Sequence, residues 1–82
     1  MFYIYAISSI DRNYIYVGMT KNINERFKRH NRGWEKTTRA YAPFKLILIE
    51  EVGLSRPKAR KRELYWKSGM GKEKLRHIRD NL

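Results

Sequence analysis

The sequence predicts a small α/β domain, a three-stranded sheet flanked by helices in the order β-β-α-β-α-α. Three observations carry this. Two runs near the N-terminus, residues 2–8 and 14–19, are rich in the aromatic and β-branched types that fit a pleated surface. A third run, Phe44 to Val52, is nearly continuously apolar and of strand length. Between and after these runs, apolar residues recur at spacings of three and four, the period of a helix face.

The elements follow in order. Ser9-Ile10-Asp11-Arg12-Asn13 is mostly turn-forming, so the first two runs make a hairpin whose loop is longer than the tightest type. Placing Tyr5 opposite Tyr16 sets both phenols on one face, because opposed residues share a face. Asn22 with Glu25 three positions later has the pattern of a helix N-cap and its partner acid. Ile23, Phe27, His30 and Trp34 then form the stripe of a first helix, which Gly33 ends near Asn31-Arg32. Arg26 and His30, four apart, are neighbours on its flank. Residues 33–43 have no period and read as irregular. Leu46-Ile47-Leu48-Ile49 reads as a strand covered on both faces, hence the central one. Ser55 is placed to cap a helix over 56–68 with Pro57 in its first turn, stopped by Gly69 or Gly71. A last helix is expected from Lys72 to Arg79, fraying at its end.

Length and charge bound the function. The 82 residues leave room for one small domain, 1–82, with a thin core that buries about 60–65% of the unfolded surface. The chain has no cysteine, which excludes disulfides and thiolate metal sites. Nineteen basic residues against 8 acidic ones give a net charge of +11. Such an excess points first to phosphate polymers, ahead of an anionic membrane surface or a merely solvated exterior. No apolar run approaches the ~20 residues that span a bilayer, and membrane association is not expected. The N-terminal stretch Met1–Ile7 lacks a basic leader and reads as a strand rather than a signal peptide, so the cytoplasm is the expected location.

The chemistry rests on few residues. Ala59, Glu63, Trp66 and Met70 fall on one stripe of the helix over 56–68, with a carboxylate where an apolar side chain belongs. A buried charge without compensation is costly, so Glu63 needs a counter-charge, a metal or water. A structural ion pair with one of the many arginines meets that need as well as a cation does. Arg26, read alone, is a solvated charge or a phosphate contact; Tyr5 and Tyr16, read alone, are core residues with their hydroxyls at the rim. Together, two phenols, a guanidinium and a lone carboxylate are parts from which a metal-assisted phosphodiester cleavage site can be built, none of them diagnostic alone.

The order of these parts resembles the GIY-YIG nuclease superfamily over most of the chain. Tyr3-Ile4-Tyr5 stands at the first motif, with Tyr3 in place of the usual Gly, and Tyr16-Val17-Gly18 stands at the second. Arg26 and Glu63 occupy the positions of the family's arginine and metal-binding glutamate; His30-Asn31 and Thr38-Arg39 match short elements of its small stand-alone bacterial members. The nuclease domain of UvrC is a more distant likeness. Met19 follows the second-motif Gly where some members carry Lys, and Lys21 is the nearest lysine.

The resemblance implies a three-stranded sheet flanked by helices and an endonuclease that hydrolyses DNA, in repair or recombination, with RNA as the other candidate polymer. It implies one divalent cation, Mg²⁺ or Mn²⁺, held by Glu63, since magnesium is often bound through one or two carboxylates. Arg26 would neutralise charge on the phosphate, and Tyr5 or Tyr16 would orient or deprotonate the attacking water, with His30 as the alternative base. Lys21, Arg29, Arg39 and Lys45 are the expected phosphate contacts around that face. The competing reading is a nucleic-acid-binding module of the same fold with weak or lost catalysis. A protein partner that supplies substrate choice is a further expectation, and oligomeric state is not legible.

Overall fold

Strand β1, Phe2–Ser9, runs through the middle of the molecule, and every residue from Ile4 to Ser9 is buried. The computed structural model describes all 82 residues. β2, Ile15–Thr20, and β3, Phe44–Gly53, flank β1 on either side and run antiparallel to it, giving the sheet order β2-β1-β3. Helix α1, Ile23–Asn31, follows β2, and a single 3-10 turn, Arg39–Tyr41, lies in the connection to β3. Helices α2, Arg56–Lys67, and α3, Gly69–Asp80, complete the chain. The order is the expected β-β-α-β-α-α. No helix is long and apolar enough to cross a membrane.

The sheet separates two cores, as alternation along its strands requires. On one face Ile4, Ala6, Ile15, Val17 and Ile47 pack with Trp66 of α2 and Leu75 of α3. On the other, Tyr5, Ile7 and Phe44 pack with Tyr14, Tyr16, Ile23 and Phe27, so α1 covers this face. The Arg62 guanidinium of α2 grips the Glu50 carboxylate of β3 through two bonds of 2.7 Å, and holds that carboxyl below its usual range. Lys72 of α3 donates from Nζ to the Ile15 carbonyl of β2 at 2.6 Å.

Four expectations need correction. β1, not β3, is central. In β3, Leu46 and Ile47 turn to opposite cores by alternation, the register shift opposite Ala6 and Ile7 keeps Leu48 with Ile47 on the α2/α3 side, and Ile49 lies exposed. Tyr5 lies opposite Gly18, and Tyr16 opposite Ile7. That is a slip of two positions, which preserves the face because side chains alternate with period two. Gly69 and Gly71 do not stop a helix; they open α3. Ser68 is the joint: its hydroxyl donates to the Tyr65 carbonyl at the end of α2 and accepts from Gly71 N at the start of α3. Trp34 and Met70, placed on apolar stripes by spacing, are exposed because each lies beyond the end of its helix.

Candidate active site

Asn22 caps α1 as its sequence pattern requires, its side chain accepting from Glu25 N at 3.1 Å. The helix thereby presents Arg26, Phe27 and His30 to the face of the sheet that carries Tyr5 and Tyr16. Gly18 lets the Tyr5 ring lie flat over β2: a Cβ at residue 18 would stand 2.6 Å from the phenol oxygen. The Tyr5 hydroxyl meets His30 Nε2 at 2.8 Å, and His30 Nδ1 meets Thr38 Oγ1 at 2.7 Å. This line is closed to water, with Tyr5 and His30 each 1% exposed and Thr38 0%. The Tyr16 ring stands 5.1 Å from the His30 ring and is only half-buried.

Electrostatics follow from this crowding. Burial raises the pKa of the Tyr5 phenol strongly, opposed by the charge and hydrogen-bonding reach of Arg26. Burial also raises that of Tyr16, with Arg26 again opposing and the charges of Glu63 and Glu35 adding to the rise. His30 is pushed down by burial and then by Arg26, which keeps its imidazole neutral near pH 7. The Arg26 Nε is buried and has no hydrogen-bond partner, an arrangement that suits an incoming acceptor. Its nearest acid is Glu35, at 3.7 Å, which bonds Arg29 Nε at 2.9 Å.

Glu63 is buried on α2, 7% exposed, between Arg60 and Lys67, with Lys67 Nζ 3.4 Å from its carboxylate. Helix α2 lies against the face of the sheet opposite the tyrosines. The Glu63 charge nonetheless reaches the Tyr16 phenol. β2 is the outer strand, and α3 already grips its Ile15 carbonyl. Tyr5, Tyr16, Arg26 and His30 form one cluster, while Glu63 belongs to the helix that packs the opposite face of the sheet.

The expected phosphate contacts divide. Lys21 sits over the Phe2 ring beside a cleft lined by Tyr3 and Ile49, on the tyrosine face. Arg29 is engaged by Glu35, and Arg39 is exposed on the 3-10 turn. Lys45 pairs with Ser8 and lines a separate polar cleft with Arg12 and Arg79, away from the tyrosine face. Glu35 was not singled out by the sequence reading. The signal was there: it is the sole acid between Glu25 and Glu50 in a basic stretch, the same kind of solitude that marked Glu63.

A family model described as the GIY-YIG catalytic domain matches residues 1–76. A UPF0213 protein of Bacillus licheniformis is 39% identical over 79 residues, covering 95% of this chain and 79% of that protein. A UPF0213 protein of Clostridium perfringens is 37% identical over 79 residues, covering 95% and 83%. The solution NMR structure of a UPF0213 protein from Bacillus halodurans superposes with a TM-score of 0.53 at 30% identity, over 95% of this chain and 85% of that one. The motif residues, the sheet that presents them and these matches agree: the chain belongs to the GIY-YIG family of nuclease domains, among relatives that are small UPF0213 proteins.

Proposed function

We propose that the protein is a metal-dependent endonuclease that hydrolyses phosphodiester bonds in DNA, with residues 1–82 acting as one nuclease domain in the cytoplasm, in repair or recombination. The observation that carries this reading is the Arg26 guanidinium, whose charge is felt at both phenols and whose buried Nε lacks a hydrogen-bond partner. A phosphate oxygen supplies that partner.

Glu63 would hold the cation. One carboxylate fits a small hard ion that keeps most of its waters and takes a phosphate oxygen. Arg60 and Lys67 are both exposed, so water can replace either of them when a carboxylate oxygen turns to a cation. When bound, a divalent cation neutralises charge on the phosphoryl group and on the leaving 3′-oxygen. The chain's own residues do the rest. Arg26 binds the phosphate and stabilises the charge that grows on it. Tyr16, the more accessible phenol, accepts a hydrogen bond from the attacking water and sets its line of approach. Burial and two carboxylates keep this phenol protonated, which suits orientation better than proton removal. The water oxygen bonds to phosphorus as the phosphorus–O3′ bond breaks, leaving a 5′-phosphate and a 3′-hydroxyl, and the proton that the water releases to solvent balances the one that the 3′-oxygen takes up.

The rival reading, a binding module without catalysis, draws on the ion pairs of Glu63, which satisfy that carboxylate with no metal. A panel of labelled duplex, single-stranded, flap and junction DNA, with matched RNA, decides between them. Cleavage with Mg²⁺ or Mn²⁺ and none in EDTA is expected. Glu63→Gln should lose cleavage while keeping binding. Arg26→Ala should lose about 3–4 kcal/mol of transition-state stabilisation that added metal does not restore. Binding in EDTA with no cleavage under any metal overturns the enzyme in favour of the module.

A further inference from the structure

We propose that Tyr3, Ile49 and Asn24 form a subsite for one unpaired base of the substrate strand, stacked on the Tyr3 ring beside the phosphate at Arg26. The proposal rests on the nucleic-acid reading of the neighbouring site for its ligand, and on the open end of the sheet for its place.

Helix α1 covers only part of the tyrosine face, where Ile7, Tyr16 and Phe44 pack with its Ile23 and Phe27. Tyr3 and Ile49 share that face, because Ile49 pairs with Tyr5 and residues two apart on β1 point the same way. Neither belongs to a core cluster. Ile49 is 52% exposed and Tyr3 is half-buried. Of the six tyrosines, Tyr3 alone has no aromatic or cationic group against its ring. With Lys21, Asn22, Ile23 and Asn24 the two residues line a cleft of about 340 Å³, at the small end of ligand sites.

The chemistry of this cleft selects a base rather than a phosphate. An aromatic face left open stacks with any base, since every base has a π-face. Ile49 adds an apolar wall, and the exposed Asn24 amide both donates and accepts, as the edge of an unpaired base requires. Glu51 pairs with Tyr3 and is exposed on the same face, so a carboxylate offsets the charge that Lys21 brings. A phosphate gains little in such a setting and a neutral ring loses nothing. Position agrees with chemistry. Tyr3 stands two residues from Tyr5, about 7 Å along β1. Ile23, on the cleft wall, is three residues before Arg26, so the two are neighbours on α1. One nucleotide spans that distance, with its base on Tyr3 and its phosphate at the unpartnered Arg26 Nε. A base inside a duplex is paired and stacked and cannot reach the ring, so the strand is single or frayed at this point.

The test reads binding in EDTA and needs no cleavage. Tyr3→Leu keeps apolar bulk without a ring. In fluorescence anisotropy it should weaken binding of a labelled single-stranded oligothymidylate about fivefold or more, the lower end of the range for one stacked base, and leave a blunt duplex unchanged. Tyr3→Phe should bind both as the wild type does. Tyr3→Leu holding the single strand at wild-type affinity overturns the proposal, as does a loss of single strand and duplex by the same factor. If Tyr3→Leu does not fold, Ile49→Ser at its exposed position should weaken the single strand alone, and unchanged binding overturns the proposal. A wild type that cuts duplex and binds no single strand refutes the subsite and keeps the nuclease. A protein that shows the Tyr3 effect and cuts no substrate refutes the nuclease reading and leaves the subsite standing.

Discussion

At residue 18 the second motif has a steric cause. A Cβ there would lie 2.6 Å from the Tyr5 oxygen and 2.7 Å from the adjoining ring carbon. Gly18→Ala must push the ring away from His30, and should cost about 1–3 kcal/mol as overpacking does, read from the denaturant midpoint, with cleavage falling further than stability. Glu35 has the opposite sign of effect. It stands where it competes with an incoming phosphate for Arg26 and Arg29. Glu35→Gln should tighten DNA binding several-fold in fluorescence anisotropy at low salt, with the gain fading as salt screens the charges. Weaker binding would make Glu35 the group that orients those arginines. The shared face of the tyrosines and the neighbourhood of Arg26 and His30 were legible from strand parity and helical spacing, while their union in one candidate site rested on the family resemblance. Glu35 and the partnership of Thr38 with His30 were not legible, since the connection from 33 to 43 has no period to say which way a side chain points.

Elements were legible where local chemistry decides and less so where packing does. Asn22 and Ser55 begin helices as their caps dictate. The α2/α3 joint was missed because glycine is most often a terminator. Here Gly71 serves close approach: a Cβ would lie 2.6 Å from Trp66 Cα, so α3 can fold back against the last turn of α2. Ser68 serves both helices at once, and Ser68→Ala should cost about 1 kcal/mol or more in a thermal or denaturant melt, since one hydroxyl supplies two ends. An unchanged midpoint would mean backbone packing alone holds the corner. The place of β3 in the sheet was misjudged for a similar reason. An apolar run tells that both sides of a strand have neighbours, and here the cores under α1 and under α2 and α3 supply them to a strand at the rim.

For the whole molecule, the charge of +11 was readable at once and the two-layer division of the site was not, since it depends on sheet order. Acid should expose the buried imidazole. Its folded pKa lies below its ordinary value of 6.5, so stability is complete above that pH and falls as pH drops, because the unfolded chain takes a proton that folded His30 refuses. The melting temperature should decline between about pH 7 and pH 5, before the lowered Glu50 carboxyl begins to titrate. A level curve over that interval would place His30 in a wetter setting. The lysine that bonds the Ile15 carbonyl bears on colloidal behaviour as well as on architecture. β2 is a rim strand, and a rim strand with idle carbonyls templates the addition of another chain. An ammonium spent on that carbonyl removes an attachment point and sets a positive charge beside it. Copies of the chain brought close together therefore meet a β2 rim with one fewer site for strand addition.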